Sequence, residues 1–239
     1  RLGLMLLALG WVLALGGGWA AHLVQTSGET EVRDVRFPAA DGAQLSGLLY
    51  LPADATAQDP APAVLLSHGY INTREMQSAF AIELARRGFV VLAMDMSGHG
   101  YSQGTVGANA FGGPAAFAYL QGLPMVDEAN ILFAAKANPD GYRSMVLVGS
   151  TPGIFGAPEG EGRAFPRNLA VVFGQYDEFP DLMWQVPTGG DIVNASKLKA
   201  LFATDAPVEP GRIYGDIAAG DARWLQVPPI THPWEHFSG

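Results

Sequence analysis

Four short segments of this chain set imidazole, hydroxyl or carboxylate side chains just beyond runs of apolar residues, where a parallel sheet would expose them. They are Ser67-His68-Gly69-Tyr70, Asp95-Met-Ser-Gly-His-Gly-Tyr-Ser102, Gly174-Gln-Tyr-Asp177-Glu178 and Thr231-His232-Pro-Trp-Glu-His236. A carboxylate that orients an imidazole, which in turn draws a proton from a hydroxyl, is the machinery of nucleophilic acyl transfer. A glycine after a strand lets the backbone turn sharply and aim an N–H at a developing oxyanion, and Gly69 sits at such a point. In the second segment the glycines and serines form a tight turn; no Gly-Lys-Ser/Thr follows, so it is not a phosphate loop. The fourth segment also fits His-x-x-Glu-His, a zinc-peptidase pattern through His232 and His236. That pattern needs both histidines on one α-helical face, and Pro233 disfavours helical geometry at His232.

The elements that would position these residues are legible as periodicities. Alternation over Val32–Phe37 and Gln44–Leu51, with Asp41-Gly42 between them, predicts a hairpin. Unbroken apolar runs at Ala63–Ser67, Phe89–Met94, Ser144–Val148 and Leu169–Phe173 predict strands buried on both faces, and Ala222–Val227 a last strand. Helices are predicted over Glu75–Arg87 (closed by Gly88), Pro114–Gln121 and Ala195–Phe202. A hairpin followed by alternating strands and helices implies an α/β fold, a mostly parallel twisted sheet with helices on both faces. The segment Phe179–Gly190 reads either as a cap over an apolar group or as a loop packed on the core.

Composition narrows the function classes. With 239 residues, 49% of them hydrophobic, the chain can bury one sizeable core. A net charge of −9 with only 14 Lys and Arg excludes a nucleic-acid partner, and the absence of cysteine excludes disulfides and thiolate chemistry. Leu2–Val24 carries no charged residue, so residues 1–24 read as a transmembrane helix, or as a signal segment cleaved after Gly18-Trp19-Ala20. Residues 25–31 then form a linker and residues 32–239 the α/β domain. Arg1 precedes the apolar run while Glu29, Glu31 and Asp34 follow it, which places the body outside the cytoplasm.

His68-Gly69, then a helix, then Asp95-x-x-Gly-His-Gly-x-Ser102 resembles the α/β-hydrolase superfamily, and the likeness runs from Val32 to Ser238. It is similar above all to bacterial membrane-anchored relatives of dienelactone hydrolases and acyl peptidases. The resemblance implies Asp177 as the triad carboxylate, with Glu178 the neighbouring alternative, and His232 as general base, with His236 opening a closing helix that would run past Gly239. It implies the Tyr70 backbone N–H as half of an oxyanion hole. The expected reaction is hydrolysis of an ester, lactone, thioester or peptide bond in a small acyl or peptide substrate, with no metal or organic cofactor.

One part of the pattern is missing. At the strand-to-helix turn between the Asp95 and Gly174 segments, where the superfamily carries its nucleophile in Gly-x-Ser-x-Gly, this chain has no such motif. Val126-Asp-x-x-x-Ile131 resembles the approach to the nucleophile strand, and Ala134-Ala-Lys-Ala-Asn-Pro-Asp140 the end of the helix after it. The two fuse near Leu132, so about 20 residues, enough for a strand, an elbow and a helix, are expected to be absent. Loss of a central strand would leave unpaired edges facing each other. A single helix over Val126–Asn138 is the alternative. Ser150 is a weak candidate nucleophile, because Pro152 and the loop through Gly162 leave no helix behind it; Ser67 and Ser102 read as turn residues. The expectation is a serine hydrolase whose sequence here is incomplete. Its alternatives are a catalytically dead, membrane-tethered binding module and a zinc hydrolase through His232 and His236.

Overall fold

The computed structural model describes residues 2–26, 30–69, 71–132, 142–153, 159–160 and 162–237. Helix α1 (Leu2–Thr26) contains the apolar run Leu2–Val24, 23 residues with a mean hydropathy of 1.8. At 1.5 Å per residue that run is about 35 Å long, enough for the roughly 30 Å of a bilayer core. It fits both a membrane anchor and a signal sequence. The helix continues through Thr26 into the expected linker, and the first strand begins at Thr30.

Strands β1 (Thr30–Pro38) and β2 (Gln44–Pro52) pair antiparallel from Thr30↔Pro52 to Pro38↔Gln44. Gly42, at φ 84°, makes the turn that Asp41-Gly42 announces, and the Asp41 carboxylate accepts the Ala43 N–H at 3.0 Å. Strands β3 (Ala61–Ser67), β4 (Val90–Met94) and β5 (Val126–Leu132) complete a sheet of order β1-β2-β4-β3-β5, with β3 parallel to both β4 and β5. Helix α2 (Ser78–Arg86) covers one face, where Ala81 and Ala85 pack against Tyr50, Val64, Val91 and Ala93. Helix α3 (Gly113–Gln121) covers the other, with Ala116, Phe117 and Leu120 beside Leu65, Leu92 and Met94. Successive β4 residues thus feed opposite cores, which is why the run reads as continuously apolar.

A second sheet has order β6-β7-β9-β8: β6 (Met145–Val148), β7 (Leu169–Val172) and β9 (Arg223–Gln226) run parallel, and β8 (Ile213–Tyr214) is antiparallel to β9. Among the described residues no ladder joins β5 to β6. Val126–Leu132 is a strand rather than the start of a helix, and residues 133–141 lie outside the described residues. Its pairing is irregular: Val126 faces Ala61 but Ile131 faces Ala63, so several residues of β5 bulge opposite one of β3. Asp127, Glu128 and Asn130 suit a buried parallel strand poorly. In the second sheet Met145, Leu147, Leu169, Val171 and Leu225 are buried, whereas on the opposite face Val146 is 48% exposed and Val148, Ala170, Val172 and Trp224 are only half-buried.

The expected helix at Glu75 begins as a 3-10 turn, Arg74–Gln77, and this turn holds the main buried ion pair. Arg74, 4% exposed, donates to Asp34 Oδ2 at 2.8 Å, to Ser46 Oγ at 2.6 Å and to the Gly47 carbonyl at 3.0 Å. Its backbone N–H binds Asp95 Oδ1 at 2.8 Å, and Asp95 is fully buried. Asp95 Oδ2 accepts the Tyr101 N–H at 3.0 Å, so this carboxylate ties the end of β4 to two loops. Removing one partner of such a network leaves the other charge buried. Arg74→Ala is therefore expected to cost about 3–5 kcal/mol, read as a drop in the urea midpoint of the full chain in detergent. A loss below about 1 kcal/mol, the worth of a surface pair, would contradict this account of the network.

Candidate active site

The third and fourth segments meet because hydrogen bonding between β7 and β9 continues past both strands. The N–H groups of Phe173, Gln175 and Tyr176 bind the carbonyls of Gln226, Pro228 and Ile230 at 3.1, 2.8 and 3.0 Å. Pro228 and Pro229 have no N–H, so this segment engages β7 through its carbonyls. The Asp177 N–H closes on the Gly174 carbonyl at 3.1 Å and forms the turn. The chain thus delivers Asp177 and His232, 55 residues apart, side by side: His232 Nδ1 lies 2.7 Å from Asp177 Oδ2.

The Asp177 side chain is fully buried and the His232 side chain 28% exposed, so one end of the imidazole reaches solvent. Burial acts to raise the Asp177 carboxyl, but the His232 hydrogen bond and the Phe179 N–H, 2.6 Å from Oδ1, outweigh it and hold the group below the ordinary aspartate value. The same bond to Asp177 raises the His232 imidazole above its ordinary value, against the effect of burial. With the proton on Nδ1, Nε2 is left to accept one. Phe179 packs edge-on against the ring, centroids 5.2 Å apart. Glu178 does not orient the imidazole; its Oε2 accepts the His232 backbone N–H at 3.1 Å.

His232–Phe237 is a 3-10 helix, not an α-helix. With three residues per turn, position 235 rather than 236 falls in line with position 232. The residue brought in is Glu235, fully buried, with Oε1 accepting the Gly174 N–H and Oε2 3.7 Å from His232 Nδ1. Burial, Asp177 and Glu178 together push its carboxyl up to about 9. Asp177, His232 and Glu235 each offer a donor within 4.8 Å of the others, yet the imidazole nitrogen on that side is already bound to Asp177. Glu235 was visible in the sequence only as part of the zinc-like pattern; the i, i+3 spacing within a 3-10 turn was the signal.

The other expected residues fall elsewhere. His68 is a framework residue: Nδ1 lies 2.7 Å from the Gly69 carbonyl, and Nε2 accepts the Met96 N–H at 3.1 Å, joining the ends of β3 and β4. Burial lowers its pKa, which suits a neutral ring. Tyr70 lies outside the described residues. Gly100-Tyr-Ser102-Gln-Gly104 spells Gly-x-Ser-x-Gly, but Ser102 Oγ donates to the Asp95 carbonyl at 2.8 Å and accepts the Ser46 N–H at 2.9 Å. That hydroxyl fastens the turn to β2, and no helix follows it directly. Ser150 is half-buried beyond the end of β6, next to Gly149, whose backbone abuts the imidazole. The segment Phe179–Gly190 contains helix α4 (Pro180–Trp184), which sends Met183 and Trp184 into the core and leaves Leu182 62% exposed.

The profile of the serine aminopeptidase family S33, a hydrolase family, matches residues 58–148, from the approach to β3 through β6. Solved structures repeat the arrangement over most of the chain. One, from Klebsiella pneumoniae and assigned as a dienelactone hydrolase, is 14% identical over 88% of this chain and 90% of its own, with a TM-score of 0.58. The chain has the fold of the α/β hydrolases, and its residues 58–148 match a hydrolase family. An esterase of Pyrococcus furiosus is 16% identical over 84% of this chain and 83% of its own, TM-score 0.56. Dipeptidyl peptidase 4 of Porphyromonas gingivalis is 14% identical over 85% of this chain but 33% of its own, TM-score 0.57. At these identities the likeness is one of fold. The chain spans 48% and 49% of two further structures. No curated protein matches it. Hydrolysis is the general class of function the family match supports.

Gly149 tests how tightly the site is built. It sits at φ 56°, and a Cβ there would stand 2.7 Å from His232 Cε1 and also strike Glu235 Oε2. Gly149→Ala is expected to destabilise the chain by about 1–3 kcal/mol from backbone strain, before any cost of moving the ring. Unfolding at the wild-type urea midpoint would show that the imidazole does not rest on this strand end.

Proposed function

We propose that this protein hydrolyses an ester, lactone, thioester or peptide bond by acyl transfer to water, with His232 as general base and Asp177 as the carboxylate that orients it. The observation that carries this reading is the 2.7 Å bond between His232 Nδ1 and the buried Asp177, held at the ends of adjacent parallel strands. A serine hydroxyl attacks the substrate carbonyl as His232 Nε2 takes its proton. The imidazolium, stabilised by Asp177, then protonates the leaving group, and water repeats the sequence on the acyl-enzyme. The Tyr70 N–H is the proposed first donor to the oxyanion.

The nucleophile is assigned to a segment joining β5 to β6 that this sequence does not contain. Three features support that assignment. β5 is polar and bulged where a central parallel strand should be apolar and regular. Among the described residues no ladder joins β5 to β6. The face bearing Val146, Val148 and Ala170 is left half-covered, as it would be without the helix that follows an elbow. Helix α1 then holds the body at a membrane, on the extracytoplasmic side by its flanking charges.

The test is labelling with a fluorophosphonate probe, which reacts with activated serines. Protein from its native source is expected to be labelled on a serine inside a Gly-x-Ser-x-Gly segment between residues 132 and 142. The 239-residue chain itself is expected to remain unlabelled. Labelling of the 239-residue chain at Ser150 would instead make that residue the nucleophile, and no labelling of either form would leave a binding module. In the form that the probe labels, assayed before labelling, His232 must be neutral to act as base. Because Asp177 raises its pKa, kcat/KM is expected to rise with pH through a midpoint above the ordinary 6.5, and Asp177→Asn to lower both that midpoint and kcat, the latter by about 10⁴-fold. A midpoint unchanged by Asp177→Asn would remove Asp177 from the reaction.

A further inference from the structure

The pair at the strand ends is in fact a trio. Glu235 lies one 3-10 turn after His232, fully buried, with one oxygen on the Gly174 N–H and the other 3.7 Å from the nitrogen that Asp177 holds. Gly174 also opens the turn that carries Asp177, so Glu235 grips the backbone of the strand end that presents its neighbour. The fit on both sides is close. A Cβ at Gly174 would stand 2.8 Å from Glu235 Oε1, and one at Gly149 would strike Oε2, so both contact points are glycines.

Two fully buried carboxyl groups this close cannot both ionise without heavy cost. We propose that Glu235 is a positioning residue, a neutral carboxylic acid that shares its proton with the Asp177 carboxylate and fixes that carboxylate on His232. This rests on the reading of His232 as the general base. The groups that face Glu235 among the described residues are Asp177 and Glu178 from the turn after β7 and His232 from its own helix; from β6 the Gly149 backbone approaches. Burial first, then the negative charges of Asp177 and Glu178, favour the protonated form, and the Gly174 N–H alone opposes it. The consequence is electrostatic as well as geometric. A neutral Glu235 leaves one negative charge beside the imidazole instead of two, so His232 is raised enough to serve as a base without being locked in its protonated form.

The test needs no substrate and no nucleophile, so it stands apart from the hydrolase reading. Full-length chain labelled with ¹⁵N-histidine is titrated in detergent from acid to alkaline pH, and the His232 ring nitrogens and the downfield Nδ1–H proton are followed by NMR. In the wild type the expected result is a main imidazole titration above the ordinary histidine value and a second, smaller inflection in the alkaline range as Glu235 ionises. Glu235→Gln, whose amide can donate to Asp177 and accept from Gly174 as the neutral acid does, is expected to abolish the second inflection. It should leave the main titration and the downfield proton in place. Glu235→Ala is expected to lose the downfield proton. The proposal is overturned if the wild type shows no alkaline inflection, or if Glu235→Gln lowers the imidazole midpoint by about a unit or more, the mark of a carboxylate that was already ionised. The wild-type titration decides the matter by itself should either variant fail to fold.

Discussion

Everything at the candidate site hangs on a line of backbone hydrogen bonds. β6, β7 and β9 lie in parallel, and the β7–β9 ladder does not stop where the strands do. It runs on through Gln175 and Tyr176 to the carbonyls of Pro228 and Ile230. Two loops distant in sequence are thereby fixed to each other within a few residues of Asp177 and His232. A side-chain bond alone could not hold the imidazole, because ordering both side chains costs entropy that one hydrogen bond barely offsets. With the backbones already fixed, the 2.7 Å contact needs only a choice of rotamers.

The same logic explains the weakness of the other half. The proposed nucleophile belongs between β5 and β6, which no ladder joins among the described residues. A strand in that position has its backbone satisfied on both sides. Here β5, whose sequence is Val-Asp-Glu-Ala-Asn-Ile-Leu, keeps its pairing to β3 through a bulge. The first sheet has its own anchor, the Arg74–Asp95–Asp34 network, which holds β1, β2 and β4 together and serves the framework rather than the chemistry.

Much of this was legible in the sequence because single physical rules governed it. Asp41-Gly42 specified the hairpin, since glycine tolerates the positive φ the turn requires. β4 was legible because both its faces are covered, which forces an unbroken apolar run, whereas β6 and β7 carry such a run with one face only half-buried or exposed. Asp177 and His232 stood out because each lies beyond the end of an expected strand, and their roles were implied by the family resemblance. What escaped depended on contacts far apart in sequence. Arg74 and Asp95 are 21 residues apart and nothing local marks them as partners. His68 and Ser102 look catalytic by type, yet their polar atoms bind backbone groups. Glu235 was hidden by a choice of period: an α-helical reading pairs position 232 with 236, whereas the 3-10 turn pairs it with 235. Elements as short as α4 and β8 have too few residues to show any period.

The assignment of the nucleophile is decided at the junction after β5. Intact mass and a peptide map of the protein from its native source, read across Ile131, Leu132 and Phe133, test it most directly. The expected result is an inserted stretch of about 20 residues, containing a Gly-x-Ser-x-Gly elbow between a short apolar strand and a helix. Contiguous Ile131-Leu132-Phe133 in a stably folded protein would contradict it: the Asp177–His232 pair would then serve no serine on a central strand.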